Sequence, residues 1–211
     1  MNIFFLDENT DICAKYHVDR HVIKMILESA QLLCTAIRVM YGKKTIIITP
    51  LGKKKIVYLL PEETYYFKKI IKKIVMFNTD GELITIEEIS YKLILSSGLY
   101  IQTHINHPCS IWVRENLNNW LYVYDLMYAL EKEWQYRYET DRRHKSVLQL
   151  EHTDIIDLAI ISLSDKPMTK PRLAMPDEYK TDDPVKSYQN YYKFGKKDLL
   201  IYTKRNRPDW L

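Results

Sequence analysis

The spacing of apolar and polar positions divides the chain into helical ends and a β-branched middle. Asn2–Asp7 is an apolar run that reads as a short strand or extended lead-in, closed by Glu8-Asn9. Thr10 or Asp11 caps a short helix to about Tyr16. Asp19–Tyr41 is apolar over most of a helical circumference, which predicts a helix surrounded by protein, and Gly42 ends it. Thr45–Pro50 and Lys54–Leu60 are β-branched runs separated by Leu51-Gly52-Lys53, the pattern of a hairpin. Pro61-Glu62-Glu63 opens a helix to about Met76, and Asp80-Gly81 makes a turn. A strand over Glu82–Ile86 and a helix over Glu87–Ser97 follow. Pro108 starts a long helix to about Tyr138, and Val147–Leu163 holds one or two helical pieces. Lys166–Asp183 reads as a Pro-containing loop, Pro184–Thr203 as the last helix and Asn206–Leu211 as a tail. The expected fold is mainly α: a single helical domain with a small α+β insertion containing a β-hairpin. Residues 1–42 and 101–211 form the helical core domain, and 43–100 a lysine-rich mixed α/β insertion.

Within the helix from His17 onward, polar residues recur at His17, His21, Lys24, Glu28, Gln31 and Thr35. At about 100° per residue they all fall within roughly 40° of one line. Two His, a Lys and a Glu combine acid, base, cation and ligand chemistry on one stripe, which favours a cleft. An exposed ladder of i,i+4 pairs is the plainer alternative. On a continuous helix Asp19 of His17-x-Asp19-x-His21 lies opposite both histidines, so the three converge on a metal only if the helix begins at Asp19 with His17 in the preceding turn. Asp19 is better explained as the helix N-cap. No metal ligand set is assigned, and a divalent cation remains the minor variant.

A second polar group is Thr103-His104-Ile105-Asn106-His107-Pro108. His107 precedes a helix whose polar line continues through Arg114, Asn118 and Asp125, with Trp112, Trp120 and Trp134 opposite. The Arg114 fork suits phosphate or carboxylate, and a capping histidine with a solvated stripe explains the same spacing. Arg142-Arg143-His144-Lys145-Ser146 suits phosphate contacts or a helix end. Met175-Pro176-Asp177-Glu178-Tyr179 carries paired acids, which suit a base, a metal or a cap. The last segment mixes Tyr188, Tyr191, Tyr192 and Lys193 with Lys204, Arg205, Arg207 and Trp210. Packing is the leading role for these aromatics, base stacking the other, and Trp210 is expected to dock into the body.

Composition sharpens this in three ways. With 46% hydrophobic residues among 211, the chain has the means to form a core, and disorder and low-complexity classes are excluded. The net charge of +4 is unevenly spread: residues 41–75 hold nine Lys against two Glu, leaving the remainder acidic. Lys53, Lys54 and Lys55 are the densest part of that excess and are assigned to nucleic acid, with Arg114, Asn118, His144, Lys145 and Arg205 as further phosphate contacts. Cys13, Cys34 and Cys109 are scattered, so reduced, mostly buried thiols are expected. The opening MNIFFLDENT does not read as a signal peptide, and no membrane-length apolar run is present. The expected location is a cell interior, cytoplasmic or nuclear. P-loop, GxGxxG, GxSxG, HExxH and zinc-spaced cysteine motifs are missing.

The blocks FFLDENTDICAKYHVDRHVIKMILESAQLLCTA, THINHPCSIWVREN, RYETDRRHKS, AMPDEYKTDDPVKSYQNYYK and KRNRPDW occur in this order. Together they resemble a family of small, mostly uncharacterised proteins of bacteriophages and large DNA viruses. The likeness spans the chain apart from about residues 43–98. It implies a viral origin, one shared domain and a place in viral genome metabolism, by association rather than by chemistry.

The resulting expectation is a viral enzyme acting on nucleic acid or nucleotides. His17, His21, Lys24 and Glu28 would face His104 and His107 across one cleft. Glu28 or a histidine serves as acid or base, and Lys24 as the nucleophile of a base-excising glycosylase/lyase. A phosphoester hydrolase, with histidine-bound metal, is the other catalytic variant. The alternative is a non-enzymatic protein that binds nucleic acid or a host protein. No cofactor and no membrane partner are expected.

Overall fold

A computed structural model describes residues 2–77, 79 and 82–211. Helix α1 (Thr10–Tyr16) leads into the long α2 (Asp19–Tyr41). Four strands follow: β1 (Lys43–Ile48), β2 (Lys54–Leu59), β3 (Tyr65–Phe77) and β4 (Leu83–Leu95). The helices resume with α3 (Pro108–Val113), α4 (Leu117–Tyr138), α5 (Lys145–Glu151), α6 (Ile155–Ser162) and α7 (Pro184–Asn190). A single π-helical turn, Tyr191–Gly195, extends α7. The protein is thus mainly helical, with two antiparallel hairpins, β1–β2 and β3–β4. Among the described residues no helix is long and apolar enough to cross a membrane.

The core forms where the apolar faces of α2 and α4 meet. Met25, Ile26, Leu32, Leu33 and Ile37 of α2 are buried with Trp120, Val123, Leu126, Met127 and Leu130 of α4. Ile3–Leu6 is threaded through this core as irregular chain. Buried irregular backbone needs partners from elsewhere. Gln189 donates to the Leu6 carbonyl, the Tyr122 hydroxyl to that of Asp7 and the Cys13 thiol to that of Phe4.

Several expected elements differ. The segments expected as helices from Pro61 to Met76 and from Glu87 to Ser97 are instead β3 and β4, paired from Tyr65↔Leu95 to Phe77↔Leu83. The doublets of KKIIKKIV imitate a helical period, but Ile, Val, Tyr and Phe favour extended backbone. A ribbon open on both faces requires no strict alternation. The insertion therefore shows no helix among its described residues; the Asp80-Gly81 turn lies outside them. The long helix from Pro108 breaks at Arg114, because the Asn116 side chain accepts from the Asn119 N–H and caps a new helix, α4. The last helix stops early, at the π turn. A Cβ on Gly195 would lie 2.6 Å from the Tyr191 ring, so this turn needs glycine.

Two buried arginines tie these pieces together. Arg137 of α4 donates to Glu133, to Asp19 and to the Lys15 carbonyl at 2.6–2.9 Å. Arg205 then grips both oxygens of Glu133, and Asp19 receives the Thr203 N–H and hydroxyl. This network fastens the C-terminal segment to the α1–α2 elbow. Arg38, near the end of α2, is fully buried. Its guanidinium donates to the carbonyls of Tyr58, Leu99 and Tyr100, to both oxygens of Glu63 and to the Ser97 hydroxyl. Burial alone would raise the Glu63 carboxyl; Arg38, Ser97 and the Leu60 N–H outweigh it and hold it below the ordinary range. Removing one member of such a pair strands a buried charge, at a cost of about 3–5 kcal/mol. Glu63→Ala is expected to destabilise by that order, and Arg38→Met with Glu63→Leu to recover much of the loss, as read from urea unfolding of the three proteins.

Candidate functional site

The chain from Tyr100 to His107 runs back along α2. Arg38 takes the Tyr100 carbonyl, and Thr35 hydrogen-bonds Thr103 with its Oγ1 accepting the Thr103 N–H at 3.1 Å. Further along, Glu28 stands near enough to His107 for their charges to interact. Two polar residues of the α2 stripe, Thr35 and Glu28, thus meet the THINHP segment, the first by hydrogen bond and the second through its charge. His104 adopts a left-handed conformation, φ 48°, and the His107 N–H closes the turn on its carbonyl. The His107 ring then caps α3 by accepting the Cys109 N–H at 3.2 Å.

Glu28 is the centre of this group. Its side chain is 13% exposed, and it accepts the Asn2 N–H at 2.9 Å and pairs with Lys24 at 3.3 Å. Asn2 also reaches the Ala174 carbonyl through its amide nitrogen, and the Cys109 thiol through its carbonyl oxygen. Asn2 therefore bridges α2, the start of α3 and the loop around residue 174. Partial burial pushes the His107 ring below its usual range, while the Glu28 charge opposes that shift. The Glu28–Lys24 pair, with His107 within range of the Glu28 charge, brings acid–base groups to this region.

His17 and His21 do not belong to it. The helix does not run through His17: α1 ends there and α2 starts at Asp19, so His17 leaves the stripe, while His21 stays on it within α2 with its ring turned into the core. Asp19 is not the N-cap, which is Val18; its carboxylate serves Arg137 and Thr203 instead. His17 is wholly buried, and its Nδ1–H donates to the Cys13 carbonyl at 2.7 Å. His21 shares a 2.6 Å hydrogen bond with the Tyr192 hydroxyl and stacks on Phe4 at 4.4 Å. Phe4 is held at φ 43°, a strained position for a bulky residue. These histidines shape the floor under the N-terminal segment.

The remaining expectations separate likewise. Arg114 donates to the Ile105 carbonyl at 2.5 Å, so it positions the His104–His107 turn. Asn118 lies apart from it, bonded to Asp165 and the Lys166 carbonyl, because the break before α4 ends the common stripe. It lines a cleft of about 810 Å³ with Glu8, Asp125 and Asp165, an acidic setting that repels phosphate. His144 caps α5 by accepting the Ser146 N–H, with its ring edge-on to Trp134, while Lys145 is exposed. Arg205 is committed to Glu133. Lys53, Lys54 and Lys55 stand exposed at the end of the first hairpin. Trp210 docks against Tyr16 and Tyr192. Among the described residues, no cluster of three or more His, Cys, Asp or Glu is arranged to hold a metal ion. The thiols of Cys13 and Cys109 are pushed up to about 11 by burial.

Asn2 is the member that sequence reading did not single out. Its signal was modest: one polar amide at the head of an otherwise apolar run that the fold buries. Comparison of the chain with family models, curated proteins and solved structures finds no match.

Burial drives the His17 ring down to about 4 and the His21 ring to about 3. The unfolded chain takes up these two protons near pH 6.5, and the folded chain refuses them until the pH is far lower. Folding is therefore fully supported above pH 6.5 and weakens as pH falls toward 4, by about 2 kcal/mol per ring at pH 5. Urea unfolding at pH 7.5 and pH 5 is expected to show this loss. His21→Phe should remove about half of the pH dependence.

Proposed function

We propose that the protein is an enzyme acting on nucleic acid or nucleotides, with its chemistry at Glu28, His107 and Lys24. The observation that carries this reading is the shielded Glu28 carboxylate, held between the Asn2 N–H and Lys24, with its charge felt at His107. In the base-excising variant, Lys24 Nζ attacks the anomeric carbon of a nucleotide as the base leaves. Glu28 accepts the proton shed by the amine, and an acid at the site protonates the departing base. In the hydrolytic variant, Glu28 or His107 activates water toward a phosphoester, and Arg114 holds the loop that presents His107. The polyanion preference rests on the first hairpin, whose Lys43, Lys44, Lys53, Lys54 and Lys55 face no acidic residue within 43–59. The resemblance to bacteriophage and large-DNA-virus proteins supports a role in viral genome metabolism.

The same hairpin favours a second reading, a protein that binds nucleic acid without altering it. Its lysines are exposed and remote in sequence from Glu28.

Single-turnover reactions on duplexes bearing abasic, damaged or modified nucleotides, with borohydride present, separate these readings. The base-excising variant predicts a covalent protein–DNA adduct that Lys24→Ala abolishes. Glu28→Gln is expected to slow the reaction by about 10²–10⁴-fold. Cleavage that survives Lys24→Ala but fails in Glu28→Gln indicates the hydrolytic variant. Salt-sensitive binding with every substrate intact overturns the enzyme reading.

A further inference from the structure

Hairpin β1–β2 has one covered face and one free one. Ile47 and Val57 turn inward and pack with Leu93 and Leu95 of β4. The alternate positions share the opposite face, where Lys44 lies across from Tyr58, Ile46 from Ile56 and Ile48 from Lys54. All but the half-buried Tyr58 are exposed, the three isoleucines at 48–65%. The free face thus has an aliphatic centre, with Lys44 and Lys54 at diagonally opposite corners and Lys53 beyond them at the tip. Residues 43–59 carry five Lys and no acid, whereas residues 65–95 carry four acids beside their five Lys.

The hairpin is fastened to the segment that carries the candidate site's histidines. Gln102 closes the outer edge of β2: its amide nitrogen donates to the Ile56 carbonyl at 2.8 Å, and its oxygen accepts the Tyr58 N–H at 3.3 Å. Two residues on, His104 opens the turn that His107 closes. Tyr58 is within range of the Arg114 guanidinium for their charges to interact, and Arg114 holds the Ile105 carbonyl of the same turn. A polymer lying along the free face is led toward that turn.

We propose that the free face of β1–β2 docks in the major groove of duplex DNA. The proposal rests on the reading that the site acts on nucleic acid, and it names the form that is held. Two six-residue strands with their side chains measure roughly 20 by 10 Å, which a B-form major groove about 12 Å wide admits. Lys44, Lys53 and Lys54 then reach phosphates along the groove walls, and Ile46, Ile48 and Ile56 meet thymine 5-methyl groups on its floor. Single strands are the poorer occupant, because base stacking needs open aromatic rings and this face offers only the half-buried Tyr58. Duplex RNA fits less well, since its major groove is too deep and narrow for side chains to read. An anionic bilayer matches the same charges but gives no role to the link with the His104–His107 turn.

Fluorescence anisotropy of the full chain with an unmodified DNA duplex reads the docking without any turnover. In Lys53→Ala with Lys54→Ala, the slope of log affinity against log salt is expected to become shallower by about 2. Ile46→Ala with Ile56→Ala should weaken binding to a thymine-containing duplex about three- to tenfold, and change little on the same duplex built with uracil. Lys72→Ala with Lys73→Ala, on ribbon β3–β4, should leave binding in place. All six side chains are exposed, and unchanged thermal transitions confirm that the variants fold. No duplex binding overturns the proposal. So does a preference for single strands, duplex RNA or phosphatidylserine vesicles, equal loss in both lysine variants, or an isoleucine variant that weakens both duplexes alike. Docking of this kind without turnover of any modified duplex counts against the enzyme reading alone. Turnover with a salt slope that Lys53→Ala and Lys54→Ala leave unmoved counts against this proposal alone.

Discussion

The buried guanidinium of Arg38 sets the register on which the candidate site depends. Its five N–H groups are shared among six acceptors on Tyr58, Glu63, Ser97, Leu99 and Tyr100, residues on both sides of the second hairpin. The chain can depart from α2 for more than fifty residues and still return to one defined place. From Tyr100 it passes Thr35 at Thr103 and reaches the neighbourhood of Glu28 at His107. Without that clamp, nothing in the sequence distance between Glu28 and His107 would bring them together.

Arg137 has the corresponding role at the other end of α2. Its contacts with Glu133, Asp19 and Lys15, and those of Arg205 with Glu133, hold the elbow and the C-terminal segment in one network. The Tyr192 ring is brought under His21, and Phe4 is pressed onto the same imidazole. The N-terminal segment is thereby fixed, and Asn2 is delivered to Glu28. Buried charge at both ends of one helix thus positions a half-shielded carboxylate near its middle. That division accounts for why several basic residues that looked suited to phosphate serve instead as struts.

Much of the helical body was legible because its signals are local. α2 is apolar on all but one stripe, Gly42 ends it, and Pro108 marks the start of α3. The first hairpin was equally clear from its two β-branched runs. The second was not, because KKIIKKIV satisfies a helical and a strand pattern alike, and only the pairing partner across the turn decides between them. Of the site, Lys24, Glu28 and His107 were visible as polar positions on otherwise apolar helices. His17 and His21 carried the same signal, yet the break between α1 and α2 takes His17 into the core, and Phe4 and Tyr192 cover the His21 ring within α2. Arg114 and Asn118 were separated by a cap at Asn116, one residue whose choice between helix interior and N-cap depends on tertiary packing.

The central claim is that Glu28 and His107 form one electrostatic unit. Proton NMR titration of the His107 ring in the native protein and in Glu28→Gln tests it. The account predicts a His107 pKa below the ordinary 6.5, because burial disfavours its charge, and a further fall when the Glu28 charge is removed. A His107 titration that Glu28→Gln leaves unmoved would contradict it, and would show that the two groups act apart.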